Sequence, residues 1–274
     1  MNEFFRRMTK SPQGLAGLVL ICILIALVLF GPLLAPYGPN TMSVFTRYKA
    51  PGLHHLLGTD QYGRDILSRI MYGARATVVL AFIATLLGTL VGTLIGTASA
   101  FLGGRSDEYI MRTIDAVMSI PSLLFALLIV NLLGKSSLNA VLAVGIAFAP
   151  SMARITRSVA LSVRKQDFVN AAIARGESNW YVIVREMLPN VVAPIVVEST
   201  IRVAFAVMLF ATLSFLGLGA QPPATEWGLM AAEARAYMHL SIWMIVWPSA
   251  AVALVAVAFN LLGDGLRDAL NPRA

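Results

Sequence analysis

The sequence contains few charged residues. Asp, Glu, Lys and Arg make up 13% of its 274 residues, whereas a soluble domain carries about 25%. Hydrophobic residues make up 58%. This composition excludes an ordinary soluble domain and predicts an integral membrane protein. The net charge of +7 fits basic loops that face an anionic membrane leaflet, so it does not indicate nucleic-acid binding.

Cysteine and histidine are also scarce. The single cysteine, Cys22, lies in an apolar run without an intrachain partner, which excludes a disulfide framework. The three histidines, His54, His55 and His239, lack the spacing and the acidic neighbours of a metal site, so we expect ordinary polar residues outside the membrane. No nucleophile with a plausible base lies in the apolar segments. We therefore expect no catalytic residue, no metal site and no enzyme activity in this chain.

Six apolar segments are long enough to cross a bilayer. About 20 helical residues at 1.5 Å each cross about 30 Å of hydrocarbon. Backbone polar groups in lipid must be satisfied within the segment, and these segments are too long for barrel strands. The predicted fold class is therefore an all-α integral membrane protein with six transmembrane helices. The predicted spans are residues 15–34, 76–102, 116–134, 136–153, 191–218 and 240–263.

The first span is too long to be a cleaved signal peptide. Its uncharged run from Leu15 to Leu34 has 20 residues, against about 7–15 in a signal peptide. Residues 1–75 then comprise a cytoplasmic N-terminus, this span and an external loop, and residues 76–274 form the remaining transmembrane domain. Six spans place both termini on one side. Assigning that side to the cytoplasm puts most of the basic residues there, which predicts an N-in, C-in orientation.

The segment before the second span, TDQYGRDILSRIMYG, is predicted to form an interfacial helix over residues 60–73. Its apolar residues fall on one helical face and its charged residues on the other. Asp60–Arg64 and Asp65–Arg69 are i,i+4 pairs, each worth a few tenths of a kcal/mol. We favour a structural role for this helix, and direct contact with a substrate-delivery protein is the alternative.

Glycine and proline mark two further features. Gly88, Gly92 and Gly96 recur every four residues in the second span and align small surfaces for close helix packing. Pro222 and Pro223 interrupt the helix after the fifth span. The stretch LMAAEARAYM beyond them is predicted to form a short external helix, which either meets a delivery protein or serves as a simple return loop.

A polar insert, DFVNAAIARGESNWYVIVREMLPN, separates the fourth and fifth spans. Its first helical pattern ends at Gly176, a residue suited to the left-handed position after a helix. Ser178 or Asn179 can cap a second helix, and Pro189 is expected to end it and open the fifth span. The predicted orientation places this insert in the cytoplasm. Spacing alone leaves two interpretations, a docking element and an amphipathic loop on the headgroups.

The insert resembles the EAA loop of ABC importer permeases. That motif has two alanines, a glycine four residues after the second alanine, and a Leu-Pro pair some twelve residues beyond. The resemblance implies that residues 165–190 form a coupling helix that docks on a cytoplasmic ATPase. The sequence departs at the first position of the motif, where Asn170 replaces Glu. The matching positions are Ala171, Ala172, Gly176, Ile183, Leu188 and Pro189.

Three other stretches resemble permeases of the peptide/nickel ABC importer group, namely HLLGTDQYGRDILSRIMYGAR, LSFLGLGAQPPATEWGLM and FNLLGDGLRDALNPR. More specifically, they resemble the second permease of the dipeptide or oligopeptide type. The resemblance implies a type I ABC importer permease fold in the bacterial inner membrane. It also implies a homologous second permease, two ATPases that bind ATP and Mg, and an extracytoplasmic substrate-binding protein. It implies no cofactor bound by this chain.

Glu198 and Arg202 are the only charged residues in the fifth span and can pair at i,i+4. A charge inside the bilayer costs about 2.5–3.5 kcal/mol, so an intramembrane pair is a candidate site, here lining the pathway of a zwitterionic peptide. Alternatively, the helix from Pro189 to Leu216, about 42 Å at 1.5 Å per residue, extends beyond the hydrocarbon core. Glu198 would then be interfacial, and Arg202 would extend toward the headgroups.

Two alternative functions remain open. The resemblance implies import of di- or oligopeptides, but the same importer class also carries nickel and other small solutes. A protein of another class, an ATP-independent secondary transporter or channel, would contain intramembrane ion-binding residues and inverted repeats. Of these features, the sequence offers only the Glu198/Arg202 pair.

Overall fold

A computed structural model describes residues 8, 9 and 11–270 of the chain. The predicted cytoplasmic N-terminus up to residue 7, Lys10, and residues 271–274 lie outside the described residues. Short 3-10 turns occur at Val44–Thr46 and Arg235–Tyr237. Within the described residues the helices are α1 (Pro12–Leu34), α2 (Ile66–Leu102), α3 (Gly104–Met118), α4 (Ser122–Leu133), α5 (Ser137–Arg164), α6 (Asp167–Ala174), α7 (Asn179–Phe215), α8 (Trp227–Ala234) and α9 (Trp243–Leu270).

Five of the described helices, α1, α2, α5, α7 and α9, are long and apolar enough to cross a membrane. The remaining predicted span, residues 116–134, is wrong as a single helix, because α3 and α4 meet at an angle of 87°. Pro121 causes the break, since it lacks an N–H group and disfavours helical geometry at the preceding residue. The pair α3 and α4 therefore forms a sixth, bent span or a re-entrant segment.

The contact between α2 and α5 organises the bundle. Gly88, Gly92 and Gly96 face α5, as the four-residue spacing predicts. A Cβ atom on Gly92 would lie 2.5 Å from the carbonyl oxygen of Ala149 and 2.5 Å from the Cβ of Met152. Only glycine permits this separation, because a real Cβ cannot approach so closely.

The two ends of the bundle carry different structures. Residues 165–190, which we call the insert, lie at the end formed by the last turns of α2 and α5. The start of α1 packs at the same end, where Gly14 contacts Gly265 of α9. The loop of residues 35–65 lies at the opposite end, together with α8.

The predicted interfacial helix over residues 60–73 is wrong in its first half. Residues 59–65 form a turn closed by an isolated bridge between Thr59 and Asp65, and α2 begins at Ile66. Asp65 caps α2 by accepting a hydrogen bond from the Ser68 N–H at 2.8 Å. From Ile66 onward the helix continues without a break into the second span, so no separate interfacial helix exists.

The charged residues of this turn are buried instead of facing water. Arg64 is 2% exposed and Arg69 1%. Arg64 pairs with Asp60, as predicted, and also with Glu233 of α8 at 3.0 Å. Arg69 lies 3.5 Å from Glu233. These four residues, the outer ion cluster, join the start of α2 to α8 and support the structural role over exposed docking.

The second predicted pair of this turn, Asp65–Arg69, does not form through the two side chains. Asp65 instead contacts the Nδ1 atom of His55 at 2.9 Å while it caps α2. His55 is therefore a partner of the helix cap. Its sequence context predicts an ordinary external polar residue, and that prediction is wrong.

Substitution Arg69→Met should destabilise the permease by about 3–5 kcal/mol, because removal of one partner leaves buried charge uncompensated. Thermal unfolding of the detergent-purified protein measures the effect. Arg47→Met, at an exposed position of the loop before α2, is the matched control and should leave unfolding unchanged. Equal unfolding temperatures for the two variants would contradict the structural role of the outer ion cluster.

Candidate functional site

The insert begins with a short helix that ends where the sequence predicts. Helix α6 stops at Ala174, and Gly176 adopts a φ of +78°, in the left-handed region that favours glycine. The Ser178 side chain then accepts a hydrogen bond from the Tyr181 N–H at 3.2 Å and caps the next helix. The glycine bend and the Ser178 cap are both confirmed.

The prediction that Pro189 ends the second helix is wrong, whereas the regular α-helical part of the fifth span does begin at Leu188, with Pro189 in its first turn. Helix α7 begins at Asn179 and continues through Pro189 to Phe215 as one 37-residue helix. It accommodates the proline because residues Val182–Met187 form a wider, π-helical turn. The second half of the insert is therefore the first part of a membrane helix and not a separate element.

The inner face of the insert is apolar and packs on the bundle. We call the residues that meet there the inner cluster, and each of them is buried. The cluster joins the insert to the ends of α2 and α5, so the insert is seated on two spans and continuous with a third. Its members are Ala100, Phe101, Ala160, Val169, Ala172, Val182, Ile183, Met187 and Val191.

The residues that match the EAA motif divide between two faces. Ala172 and Ile183 belong to the inner cluster, and Leu188 is half-buried. The other three, Ala171, Gly176 and Pro189, are exposed. The sequence could not separate these two groups, because the motif specifies positions but not the surface against which each position packs.

The outer face of the insert is small and partly aromatic. Ala171 and Ala174 are exposed on α6, and Trp180 of α7 is 66% exposed. Because the inner apolar face is occupied by α2 and α5, it is not free to lie in the headgroups. This packing favours the docking interpretation over the amphipathic loop.

Polar contacts around the insert are weak and near the surface. Arg164 Nη1 donates to the amide oxygen of Asn170 at 3.4 Å, so the residue at the position of the motif's Glu faces a basic side chain. Arg175 lies 3.6 Å from Glu186 and 3.7 Å from Glu177. Exposed pairs of this kind contribute at most about 1 kcal/mol each, so they orient the insert more than they hold it.

Glu198 and Arg202 do form a pair in α7. The Arg202 Nε atom donates to Glu198 Oε1 at 3.0 Å, and the two side chains are 23% and 25% exposed. The Arg202 guanidinium also lies 5.9 Å from the ring centre of Phe148 in α5. Glu198 borders a groove shared by α5, α7 and α9. A role for the pair in the solute pathway stays a prediction.

At the opposite end, the loop before α8 is joined to α2 by Glu226, a residue that sequence reasoning missed, because Thr77 of α2 donates to its Oε1 atom at 3.4 Å. Glu226 is fully buried and accepts hydrogen bonds from the Gly228 and Leu229 N–H groups, which caps α8. Its burial raises the pKa of this carboxyl group. Trp227 Nε1 donates to the Ile70 carbonyl at 3.0 Å. The predicted short helix after Pro223 is confirmed as α8.

Among residues 8, 9 and 11–270, no group of three or more His, Cys, Asp and Glu residues is placed to hold a metal ion.

Comparison with known families agrees with this architecture. A family model described as the binding-protein-dependent transport system inner membrane component matches residues 88–274. A model described as the N-terminal TM domain of oligopeptide transport permease C matches residues 1–51. In structure, the chain is similar to an inward-facing form of the MetNI methionine ABC transporter. The TM-score is 0.59 at 16% identity, over 74% of this chain and 97% of that chain, and this likeness concerns the fold.

Three relatives are similar over nearly the whole chain. The probable D,D-dipeptide transport system permease protein DdpC of Escherichia coli (strain K12) is 39% identical over 96% of this chain and 89% of its own length. The dipeptide transport system permease protein DppC of Alkalihalophilus pseudofirmus is 38% identical over 99% of this chain and 90% of its own. The glutathione transport system permease protein GsiD of Escherichia coli O6:K15:H31 has the same identity and coverage.

These matches, with the helical bundle, define an all-α, multi-pass transport subunit with the type I ABC permease fold. The chain belongs to the family of inner-membrane components of binding-protein-dependent transport systems. It is a permease subunit of the inner membrane, a transport component without enzyme activity of its own.

If Glu198 and Arg202 line the solute pathway, then Glu198→Gln and Arg202→Gln should each lower uptake by about tenfold or more, because a hydrogen bond to a charged group is worth about 1.5–3 kcal/mol. Uptake into vesicles that contain the assembled transporter measures this. Asp268→Asn, at an exposed position of α9, serves as the control. If both variants show full uptake and an unchanged solute range, the pair does not line the pathway and the interfacial interpretation is correct.

Proposed function

We propose that this permease carries di- and oligopeptides across the bacterial inner membrane within an ATP-driven importer, and that the insert is the surface on which a separate ATPase acts. The cargo is supported by the relatives, which are named for a D,D-dipeptide, for dipeptides and for glutathione. The mechanical part is supported by the two-sided geometry of the insert.

One observation carries the mechanical proposal. The insert has a buried inner face on α2 and α5 and an exposed outer face that combines small residues with Trp180, and it continues into α7. An ATPase that binds the outer face therefore moves a packed element, because the inner cluster holds α6 on α2 and α5 and only the short bend of residues 175–178 separates α6 from α7. At 1.5 Å per residue, α7 extends about 55 Å from that point.

The proposed assembly follows from this arrangement. The insert lies in the cytoplasm with both chain termini, where the excess of basic residues supports it. Two ATPases bind ATP and Mg, while this chain binds no cofactor. A homologous second permease completes the pathway, and the substrate-binding protein delivers cargo at the opposite end. Closure of the ATPases moves the inserts and rocks the two permeases between inward-open and outward-open states.

The alternative of an ATP-independent transporter has less support in the described structure. Such a protein needs a constellation of intramembrane groups that binds a coupling ion. Glu198 and Arg202 satisfy each other at 3.0 Å, and a closed pair of opposite charges offers a cation no free ligand set.

The substitution Ala171→Asp should weaken co-purification of the ATPase by about tenfold or more, because a carboxylate on this face would be desolvated without a partner in the complex. The permease itself should stay folded, since Ala171 is exposed. Co-purification and peptide-stimulated ATP hydrolysis measure the effect.

Two matched variants control this experiment. Ala50→Asp places the same charge on an exposed alanine of the loop at the opposite end, and the ATPase should still co-purify. Ala172→Asp buries the charge in the inner cluster, so it should lower the thermal stability of the permease. Full ATPase binding by Ala171→Asp would exclude the outer face of α6 as the docking surface.

The cargo assignment predicts the ligand of the binding protein that serves this permease. Titration calorimetry with that protein should show dipeptides or short oligopeptides binding at about micromolar concentration, or about −8 kcal/mol. Ni²⁺ should not bind and should not compete. Binding of Ni²⁺ with no response to peptides would replace the peptide proposal with the nickel alternative.

A further inference from the structure

We propose that Pro189 is a positioning residue that sets the rotation of the insert relative to the membrane part of α7. It does so by keeping the π-helical turn Val182–Met187, which fixes where the outer face of α6 is aimed. The inference rests on the proposed function, since it concerns how the same insert is presented to its ATPase.

The hydrogen bonds at the turn explain why proline matters. In a regular α-helix the residue at position 189 would donate to the carbonyl of Arg185, but proline has no N–H group and its ring collides with that carbonyl. In the structure the N–H group of Leu188 donates to the carbonyl of Ile183, five residues back. This wider spacing defines a π turn, a rare feature that usually occurs as a single turn inside an α-helix.

A side chain also contacts a carbonyl at the end of the π turn. Asn190 Nδ2 donates to the carbonyl oxygen of Glu186 at 2.7 Å. Asn131 and Asn260 make the same contact in regular helices, so it accompanies the turn and does not cause it. The carbonyl that lacks its regular α-helical donor because of Pro189 is the neighbouring one, that of Arg185.

Proline alone does not produce the turn. Pro194 lies in the same helix, in a segment that is regularly α-helical. The difference at Pro189 is the inner cluster. Residues five apart share a face in a π turn, so Val182 and Met187 both reach Ala172 and its neighbours. Packing and proline therefore favour the same turn, and proline without that packing leaves a regular helix, as at Pro194.

The π turn contains one residue more than a regular α-helical path needs. If the π turn relaxed to a regular helix, the part of the insert that precedes it would rotate by about 100° relative to the membrane part of α7. The same part would shift by about 1.5 Å along the helix axis. Val182 would leave the inner cluster, and the contact of 3.6 Å between Arg175 and Glu186 would be lost. The exposed face around Ala171 would then point away from its partner.

Three variants test whether the π turn sets the rotation of the insert relative to α7. Pro189→Ala restores the N–H group and permits relaxation, so ATPase coupling should fall about tenfold or more. Deletion of Arg185, an exposed residue within the turn, removes the extra residue and leaves Pro189 in a regular helix, as Pro194 is, so coupling should fall less than in Pro189→Ala. The combination gives a regular helix with both flanking faces in their original directions, and coupling should return to within about threefold of the parent. Arg185→Ala, which removes only the side chain, controls for loss of the guanidinium group and should leave the π turn intact.

Peptide-stimulated ATP hydrolysis by the complete transporter is the first readout. A second readout uses the purified permease alone, in which Arg175→Cys and Glu186→Cys are joined by a short bismaleimide in a Cys22→Ser background. Crosslinking should be efficient in the parent and in the combined variant, and lost in Pro189→Ala.

The proposal is overturned if Pro189→Ala retains full coupling, or if the combined variant is as impaired as Pro189→Ala. The latter result would mean that the proline ring itself contacts the ATPase. If the complete transporter with the unsubstituted permease shows no peptide-stimulated ATP hydrolysis, the proposed function is wrong. The crosslink in the purified permease would still show whether Pro189 sets the rotation of the insert.

Discussion

The close contact between α2 and α5 is the constraint on which the functional end of this permease depends. Helices in lipid gain little from the hydrophobic effect between them, so backbone approach and van der Waals contact hold them together. Gly92 brings its backbone against Ala149 and Met152, and the helix ends that follow then lie side by side. Phe101 and Ala160 at those ends form the seat for the insert. Without the glycine contact the insert would have no common surface to rest on.

The insert is packed on the ends of α2 and α5 and is connected to α7. This arrangement can transmit a movement of the insert to the membrane helices, as the role of a permease subunit requires. The inner cluster prevents the insert from turning independently of α2 and α5, and the unbroken helix extends it across the bundle. At the opposite end, Glu233 holds α8 to Arg64 and Arg69 at the start of α2. Both ends of α2 are thus anchored to neighbouring elements, so the described chain is suited to move as a body.

The sequence predicted features that local rules control. Gly176 and Ser178 act within four residues of their partners, and Gly88, Gly92 and Gly96 follow from helical spacing alone. The wrong predictions share a different cause. The charged face before α2 was taken as solvated, because the periodicity of the segment cannot reveal that Arg64 meets Glu233, 169 residues away. Pro189 was taken as a stop, because the rule for proline ignores the packing that stabilises a π turn. The EAA resemblance identified the insert, but only packing separated the buried Ala172 from the exposed Ala171.

Uptake of a labelled dipeptide into proteoliposomes tests the central claim most directly. The vesicles should contain this permease with its partner permease, the ATPases and the binding protein. The account predicts accumulation that requires ATP on the side of the insert, and that stops when either the ATPases or the binding protein is omitted. Accumulation driven by an ion gradient without ATP, with this chain alone in the membrane, would contradict it.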